Sequence, residues 1–258
     1  MRTGFLITAR LKSTRLPKKL TLEVAGENYI TWMVRRLKVA TDLDEIVICT
    51  STNPHDDPLE EVARKEGIGC FRGSEEDVAS RLYEASQKFE LDYFVNMTAD
   101  CPFVPFDYIP SLISLYKETD ADLIKCYDLP EGMFLSGVNP SAMKRVIEIK
   151  DTGFMEYWLF VFLKTNLFNV IPLPVDEKLI RPNYRFVLDY PEDHDFLKVI
   201  YERIGESAYS KSSEELIQWL DEHQELSKIN SDCSAKGLKR TLEDQTSKVR
   251  LKDGTIVG

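Results

Sequence analysis

The chain has 258 residues and a formal net charge of −10, from 33 Lys and Arg against 43 Asp and Glu. With 43% apolar residues it is long and apolar enough to bury a substantial core, which excludes disorder and collagen-like repeats. Net acidity argues against non-specific binding to nucleic acid, and no apolar run nears the ~20 residues that span a bilayer.

The opening run Gly4 to Thr8 predicts a short strand. The apolar start is too short for a signal peptide, so a soluble, cytoplasmic protein is expected. A basic segment follows at once: residues 1–22 carry Arg2, Arg10, Lys12, Arg15, Lys18 and Lys19 and no acid. Next, Tyr29 to Ala40 has helical spacing through Ile30, Met33, Val34 and Leu37. Glu45 to Cys49 predicts a second strand, Asp57 to Glu66 a helix, and Gly69 to Phe71 a third, short strand. Ser74 is expected to cap a helix ending near Phe89, with Glu75, Glu76 and Asp77 in its first turn. Tyr93 to Met97 and Asp122 to Cys126 complete five strands. Strands separated by helices imply βαβ units, hence an α/β fold with a mostly parallel sheet.

From Asp128 to Arg185 the alternation loosens. An aromatic helix between Phe154 and Leu163 (Phe154, Tyr157, Trp158, Phe160, Phe162) admits two readings, a homodimer surface or the chain's own core. Tyr184 to Leu188 predicts a returning strand, followed by helices over Glu192 to Ile204 and Ser213 to Glu222. The expected organisation is one domain over residues 1–226. Within it, residues 128–185 form a small β-rich insertion for substrate binding or dimerisation, and residues 227–258 are a polar peripheral tail.

Five cysteines (Cys49, Cys70, Cys101, Cys126, Cys233) without close spacing argue against a zinc ribbon or disulfide framework and read as small buried side chains. His55, His194 and His223 lie in no recognisable ligand or hydrolase context.

The sharpest anomaly is the segment Ala9-Arg10-Leu11-Lys12-Ser13-Thr14-Arg15-Leu16-Pro17-Lys18-Lys19. So many cations close together repel one another unless an anion sits among them. Ligands of open α/β sheets bind beyond the carboxyl ends of strands, where this segment lies. Its guanidinium and ammonium groups, hydroxyls and backbone N–H groups suit a polyphosphate. The P-loop pattern is absent, and Gly67 to Gly73 fails the dinucleotide fingerprint because its third glycine comes one residue late and the run straddles a strand. A second site is Thr98-Ala99-Asp100-Cys101-Pro102, where Asp100 can reach a cation beside the phosphates. Mg²⁺ commonly uses one or two carboxylates together with phosphate oxygens. The third is Leu188-Asp189-Tyr190-Pro191-Glu192-Asp193, with Asp189 either a helix cap or a second carboxylate on the metal.

In order and spacing, these segments and Phe71-Arg72-Gly73-Ser74-Glu75-Glu76-Asp77-Val78 resemble the sugar cytidylyltransferases. These are the superfamily that activates 3-deoxy-manno-octulosonate and acylneuraminate sugars, and the nearest branch is that of spore-coat polysaccharide synthesis proteins. The resemblance covers about residues 3 to 205. It implies a Rossmann-like sheet of the nucleotide-diphospho-sugar transferase type and transfer of CMP from CTP. Ala9, Arg10, Ser13, Arg15, Lys18 and Lys19 fall in the loop that holds the triphosphate, with Arg15 and Lys19 catalytic. Arg72, Gly73 and Ser74 fall in a segment around the nucleotide, and Asp100 and Asp189 fall on the metal-binding aspartates. Relatives commonly have Gly where this chain has Lys18.

The expected acceptor is an anionic sugar acid, sugar or polyol phosphate, or phosphonate, with Arg181 and Arg185 as candidates to grip it. Pairing of those arginines with the abundant acids is the competing reading. Two other functions compete. One is a glycosyltransferase using a nucleotide-sugar donor, but no Asp-x-Asp follows the fourth strand, and Asp120-Ala121-Asp122, which matches the pattern, precedes a strand. The other is a non-catalytic nucleotide-binding protein in which Lys18 and the tail mark lost activity.

Overall fold

The computed structural model describes residues 1–153, 155–243 and 248–258. A seven-stranded sheet runs through it in the order β5-β4-β1-β6-β8-β7-β9. The strands are β1 (Thr3–Thr8), β4 (Glu45–Ser51), β5 (Gly69–Gly73), β6 (Tyr93–Thr98), β7 (Leu123–Lys125), β8 (Ser136–Val138) and β9 (Val170–Pro172). Two two-residue strands, β2 (Glu23–Val24) and β3 (Glu27–Asn28), form a separate hairpin. Neighbours pair in parallel except β8, which is antiparallel to β6 and β7. β1 and β6 are almost fully buried, which is why both read as continuous apolar runs.

Helices α1 (Tyr29–Leu37), α2 (Asp57–Glu66), α3 (Val78–Lys88) and α4 (Ile109–Thr119) connect the parallel strands. The sequence marks their ends. Asn28 accepts from Thr31 N at the start of α1, and Gly67 ends α2 in the left-handed region at φ 65°. α3 begins later than expected: Asp77, not Ser74, is its cap and accepts from Ser80 N. Ser74 instead accepts from Asp77 N, so the acids precede the helix.

The stretch 128–185 adds β8 and β9 to the sheet, together with α5 (Pro140–Ile149) and α6 (Leu159–Lys164). Trp158 and Phe162 are buried in a cluster with Leu82, Met143 and Val146, while Phe154 lies outside the described residues. Tyr184 to Leu188 joins no sheet. It runs extended through a single bridge between Glu131 and Arg185, because the chain is directed over the cleft edge: Leu188 N donates to Asp100 O. α7 (Pro191–Ile204) and α8 (Ser213–Asp221) follow.

Beyond residue 227, α9 (Cys233–Glu243) and a hairpin of β10 (Val249–Arg250) with β11 (Ile256–Val257) replace the expected polar tail. Val249, Leu251 and Val257 are buried in the same cluster as Trp158, and Asn230 is buried. Ile229, Leu238 and Ile256 remain exposed, so the segment is anchored by only part of its apolar side chains. All five cysteines are free, and only Cys70 is partly exposed. Among the described residues no helix is long and apolar enough to cross a membrane.

Candidate active site

The strand order turns at β1. β4 and β5 extend the sheet to one side and β6 to the other, so the carboxyl ends of β1 and β6 flank the crevice where open sheets bind ligands. There the backbone lifts off into a cleft of about 310 Å³. Thr8, Arg10, Lys12, Ser13, Thr14, Arg15 and Lys19 line it from one side, Thr98, Ala99 and Asp100 from the other, and Glu156 closes it.

The loop is tied down at several points. Ala9 is buried and its N–H donates to Cys49 O, while Leu11 N donates to Asp56 Oδ1 at 2.8 Å. Arg10 reaches Glu75 O at 2.8 Å and Glu156 at 3.3 Å, and Lys12 pairs with Glu75 at 3.2 Å. Arg15 Nη2 donates to Asp189 Oδ1 at 2.7 Å, and its guanidinium carbon lies 5.6 Å from the centroid of the Tyr190 ring. Arg15 Nε is buried without a hydrogen-bond partner among the described residues, an orphaned donor that a bound anion would satisfy.

Lys19 Nζ lies 2.6 Å from Asp100 Oδ2 and 2.5 Å from Asp189 Oδ1. Burial pulls the Lys19 ammonium down, but the two carboxylates outweigh it and hold its pKa above the ordinary value. Burial likewise pushes the Asp100 carboxyl up, and Lys19 more than offsets it, leaving Asp100 below the ordinary carboxylate range. The guanidinium of Arg15 is also raised, with burial opposed by Asp189.

Asp189 does not cap α7. Tyr190 stands at the N-cap, and Asp193, inside the first turn, accepts through Oδ2 from Asp189 N and Tyr190 N at 3.0 Å each. Asp193 is fully buried and held by Arg185, through Nε to Oδ1 at 2.9 Å and Nη2 to Oδ2 at 3.1 Å. The carboxylate of Asp189 is thereby left facing Lys19.

No cluster of three or more metal-ligating side chains occurs among the described residues. Two carboxylates converging on one cationic nitrogen nevertheless form the donor set of a cation that takes its remaining ligands from phosphate oxygens and water, so the residues fit a hard divalent ion.

The structure gathers Arg10, Ser13, Arg15, Lys19, Asp100 and Asp189 but leaves other sequence candidates elsewhere. Arg72 pairs with Asp57 and Glu60 and donates to Ser51 O and Asn53 O. A Cβ at Gly73 would stand 2.8 Å from the Phe71 ring, so this glycine serves packing. Neither of these residues nor Ser74 lines the cleft. Arg181 does not offer a free cation: it forks onto Asp221 at 2.9 and 2.6 Å beside a different surface cavity. Arg185 is only 4% exposed and is consumed by Asp193 and Glu131. Asp120 ends α4 at φ 46° and Asp122 accepts from Arg145 and Asn169 N, so the Asp-x-Asp is turn chemistry. Glu156 had no signal in the sequence, a lone acid in an unpatterned stretch. Asp193 and Glu75 sat inside the quoted motifs, and only their contacts reveal what they do.

Lys18 is exposed, outside the cleft lining, and holds φ 55°, ψ 25°. Glycine takes that left-handed conformation without the clash of a Cβ. Lys18→Gly is expected to leave turnover within about twofold and to stabilise the fold by about 1 kcal/mol, read as a raised melting temperature. A lowered melting temperature would refute it.

The Cytidylyltransferase family pattern matches residues 5–229. The chain is 29% identical over 217 residues to the spore coat polysaccharide biosynthesis protein SpsF of Bacillus subtilis (strain 168), covering 81% of this chain and 90% of that protein. It is 29% identical over 116 residues to the 3-deoxy-manno-octulosonate cytidylyltransferase of Acidobacterium capsulatum, 44% of this chain and 45% of that one. Among solved structures, a cytidylyltransferase from Leptospira borgpetersenii superposes with a TM-score of 0.80 at 25% identity, over 88% of this chain and 96% of that one. A CMP:2-keto-3-deoxy-manno-octonic acid synthetase complexed with CTP shares the fold, with a TM-score of 0.62 at 14% identity over 79% of this chain and 99% of that chain.

Proposed function

The chain belongs to the cytidylyltransferase family of nucleotidyltransferases, and within it we propose that this protein transfers CMP from CTP to an anionic small-molecule acceptor, releasing pyrophosphate. The observation that carries this reading is the meeting of Lys19 with both Asp100 and Asp189 at the foot of the basic loop. Similarity to a spore coat polysaccharide biosynthesis protein and to sugar-acid cytidylyltransferases supports an acceptor destined for surface glycoconjugates.

Arg10, Arg15 and the Ser13 hydroxyl bind the triphosphate, with loop N–H groups adding donors. An acceptor oxygen forms a bond to the α-phosphorus in line as the α–β bridging bond breaks, and pyrophosphate departs with the bonding pair. Arg15 and Lys19 neutralise the charge growing on it. The protein contributes orientation and preorganised charge rather than covalent chemistry. Asp100 and Asp189 would hold a divalent ion, Mg²⁺ in this proposal, which when bound withdraws charge from the phosphate oxygens. The acceptor proton leaves to solvent or to a neighbouring base.

The test is incubation with each nucleoside triphosphate, Mg²⁺ and a panel of sugar acids, sugar phosphates and phosphonates, following pyrophosphate and new phosphorus resonances. CTP alone is expected to yield product, and chelation is expected to abolish it. CTP binding without pyrophosphate from any acceptor would favour a non-catalytic nucleotide-binding protein, and transfer from a nucleotide-sugar donor would favour a glycosyltransferase. Arg10→Ala is expected to raise the KM for CTP about tenfold or more, the loss of one charge-assisted phosphate contact. An unchanged KM would remove Arg10 from the triphosphate site.

A further inference from the structure

Arg181 and Arg185 are paired to acids, whereas Lys125 is a buried cation near the cleft that no acid takes among the described residues. It ends β7 and is 8% exposed, yet no carboxylate lies within ion-pair distance of it among the described residues. Its ammonium donates to Ser136 Oγ at 3.0 Å and Phe134 O at 3.4 Å, and lies 5.7 Å from the centroid of the half-buried Phe134 ring. Two of its three N–H groups are thus directed at neutral acceptors. A buried cation without a counter-ion is costly, and burial brings the Lys125 ammonium down to about 8.

Sheet register connects this ammonium to the cleft. Asn96 pairs with Ser136 across β6 and β8, and Ser136 pairs with Lys125 across β8 and β7. Thr8 pairs with Thr98, two residues beyond Asn96 on β6. Alternation along strands places Thr8, Thr98, Asn96, Ser136 and Lys125 on one face, and Asn96 Nδ2 donates to Thr8 Oγ1 at 2.9 Å. The polar row therefore runs from the cleft-lining Thr8 and Thr98 to Lys125, whose ammonium folds back over β8, roughly 5 Å or one strand spacing from β6. Asp100, two residues beyond Thr98, lines the same cleft.

We infer that Lys125, supported by Ser136, is the subsite that takes the anionic group, carboxylate or phosphate, of the acceptor. This deepens the proposed function and rests on it. An acceptor anchored there approaches the nucleotide from the β6–β8 side, with its reacting oxygen toward Asp100. Lys125 is a binding residue: it neutralises the acceptor's charge and sets its orientation, while Ser136 fixes the ammonium.

Pulse acetylation of the CTP-loaded protein at pH 8.5, read by mass spectrometry, tests it in two arms, pyruvate as the carboxylate probe and inorganic phosphate as the phosphate probe. At saturating probe, Lys125 labelling is expected to slow at least tenfold in one arm, which identifies the anion, while labelling of exposed Lys117 is unchanged. Protection by neither probe, or a Lys125 that never labels, overturns the inference, since a site closed to a small reagent is closed to an anion. Lys125→Met, close in volume and apolar, is expected to keep CTP affinity within twofold by titration calorimetry. In turnover with any acceptor that the panel reveals, it is expected to raise the acceptor KM at least tenfold more than the KM for CTP. Equal KM values for the variant and wild type also overturn it. Failure of the wild type to bind CTP would instead sink the proposed function, a result distinct from the labelling outcome.

Discussion

Asp100→Asn is expected to slow pyrophosphate release by about a hundred- to a thousandfold, some 3–4 kcal/mol of barrier, while leaving the fold intact. Asn has the shape of Asp, and the backbone at this position is fixed independently of the side chain. Cys101 N donates to Thr98 O, and Asp100 O accepts from Leu188 N at 2.8 Å. What is lost is charge at the one place where strand β6 delivers it next to Lys19. A neutral amide cannot share a divalent ion with Asp189, and it leaves Lys19 pulled toward Asp189 alone. Near-normal turnover in the variant would remove Asp100 from the mechanism.

The same substitution has a pH signature. Burial would raise the Asp100 carboxyl, but Lys19 prevails and its folded value lies below the ordinary one. Asp100 therefore contributes stability that is present above its unfolded pKa, about 3.9, and lost as pH falls through the lower folded value. Unfolding profiles of wild type and Asp100→Asn are expected to converge at the acid end and to diverge above about pH 4. Parallel profiles throughout would contradict the coupling.

Arg185→Met carries the largest expected cost in stability, about 3–5 kcal/mol, because it strands a fully buried carboxylate. Asp193 is held by Arg185 on one side and by Asn230 Nδ2 at 3.0 Å on another, and it accepts from the backbone of the turn that presents Asp189. Without the guanidinium, Asp193 must remain charged in an apolar setting or take up a proton and loosen its grip on Asp189 N and Tyr190 N. At roughly 2–4 °C per kcal/mol for a chain of this size, the melting temperature is expected to fall by about 10 °C. The double variant Arg185→Met with Asp193→Leu is expected to recover much of that loss, as paired removal of a buried ion pair often does. An unchanged melting temperature together with a raised acceptor KM would restore Arg185 as the acceptor's grip.

The elements most legible in the sequence were those governed by short-range patterns. β1, β4 and β6 are apolar runs buried on both faces, and α1, α2 and α7 carry helical spacing between recognisable ends. The misplaced start of α3 shows the limit. Ser74 and Asp77 are both good caps, and the choice between them depends on where β5 releases the chain. Tyr184 to Leu188 alternates like a strand but finds no strand to pair with, and instead spans Glu131 and Asp100. The last thirty residues looked polar because their few apolar side chains are outnumbered by polar and charged ones, yet Val249, Leu251 and Val257 join one buried cluster of the core.

By itself the sequence determined that an acid-rich α/β chain places a cluster of cations in the loop after its first strand, and that one aspartate follows a later strand end and another a later apolar run. Those are local properties of charge and periodicity, readable wherever neighbours along the chain decide conformation. Only the tertiary structure decided which charges meet. Lys19 finds Asp100 81 positions away and Asp189 170 positions away, Arg185 turns inward to Asp193, and Lys125 has no counter-ion among the described residues. Such pairings depend on strand order and register, which bring distant segments within a few ångströms, and no periodicity along the chain encodes that distance.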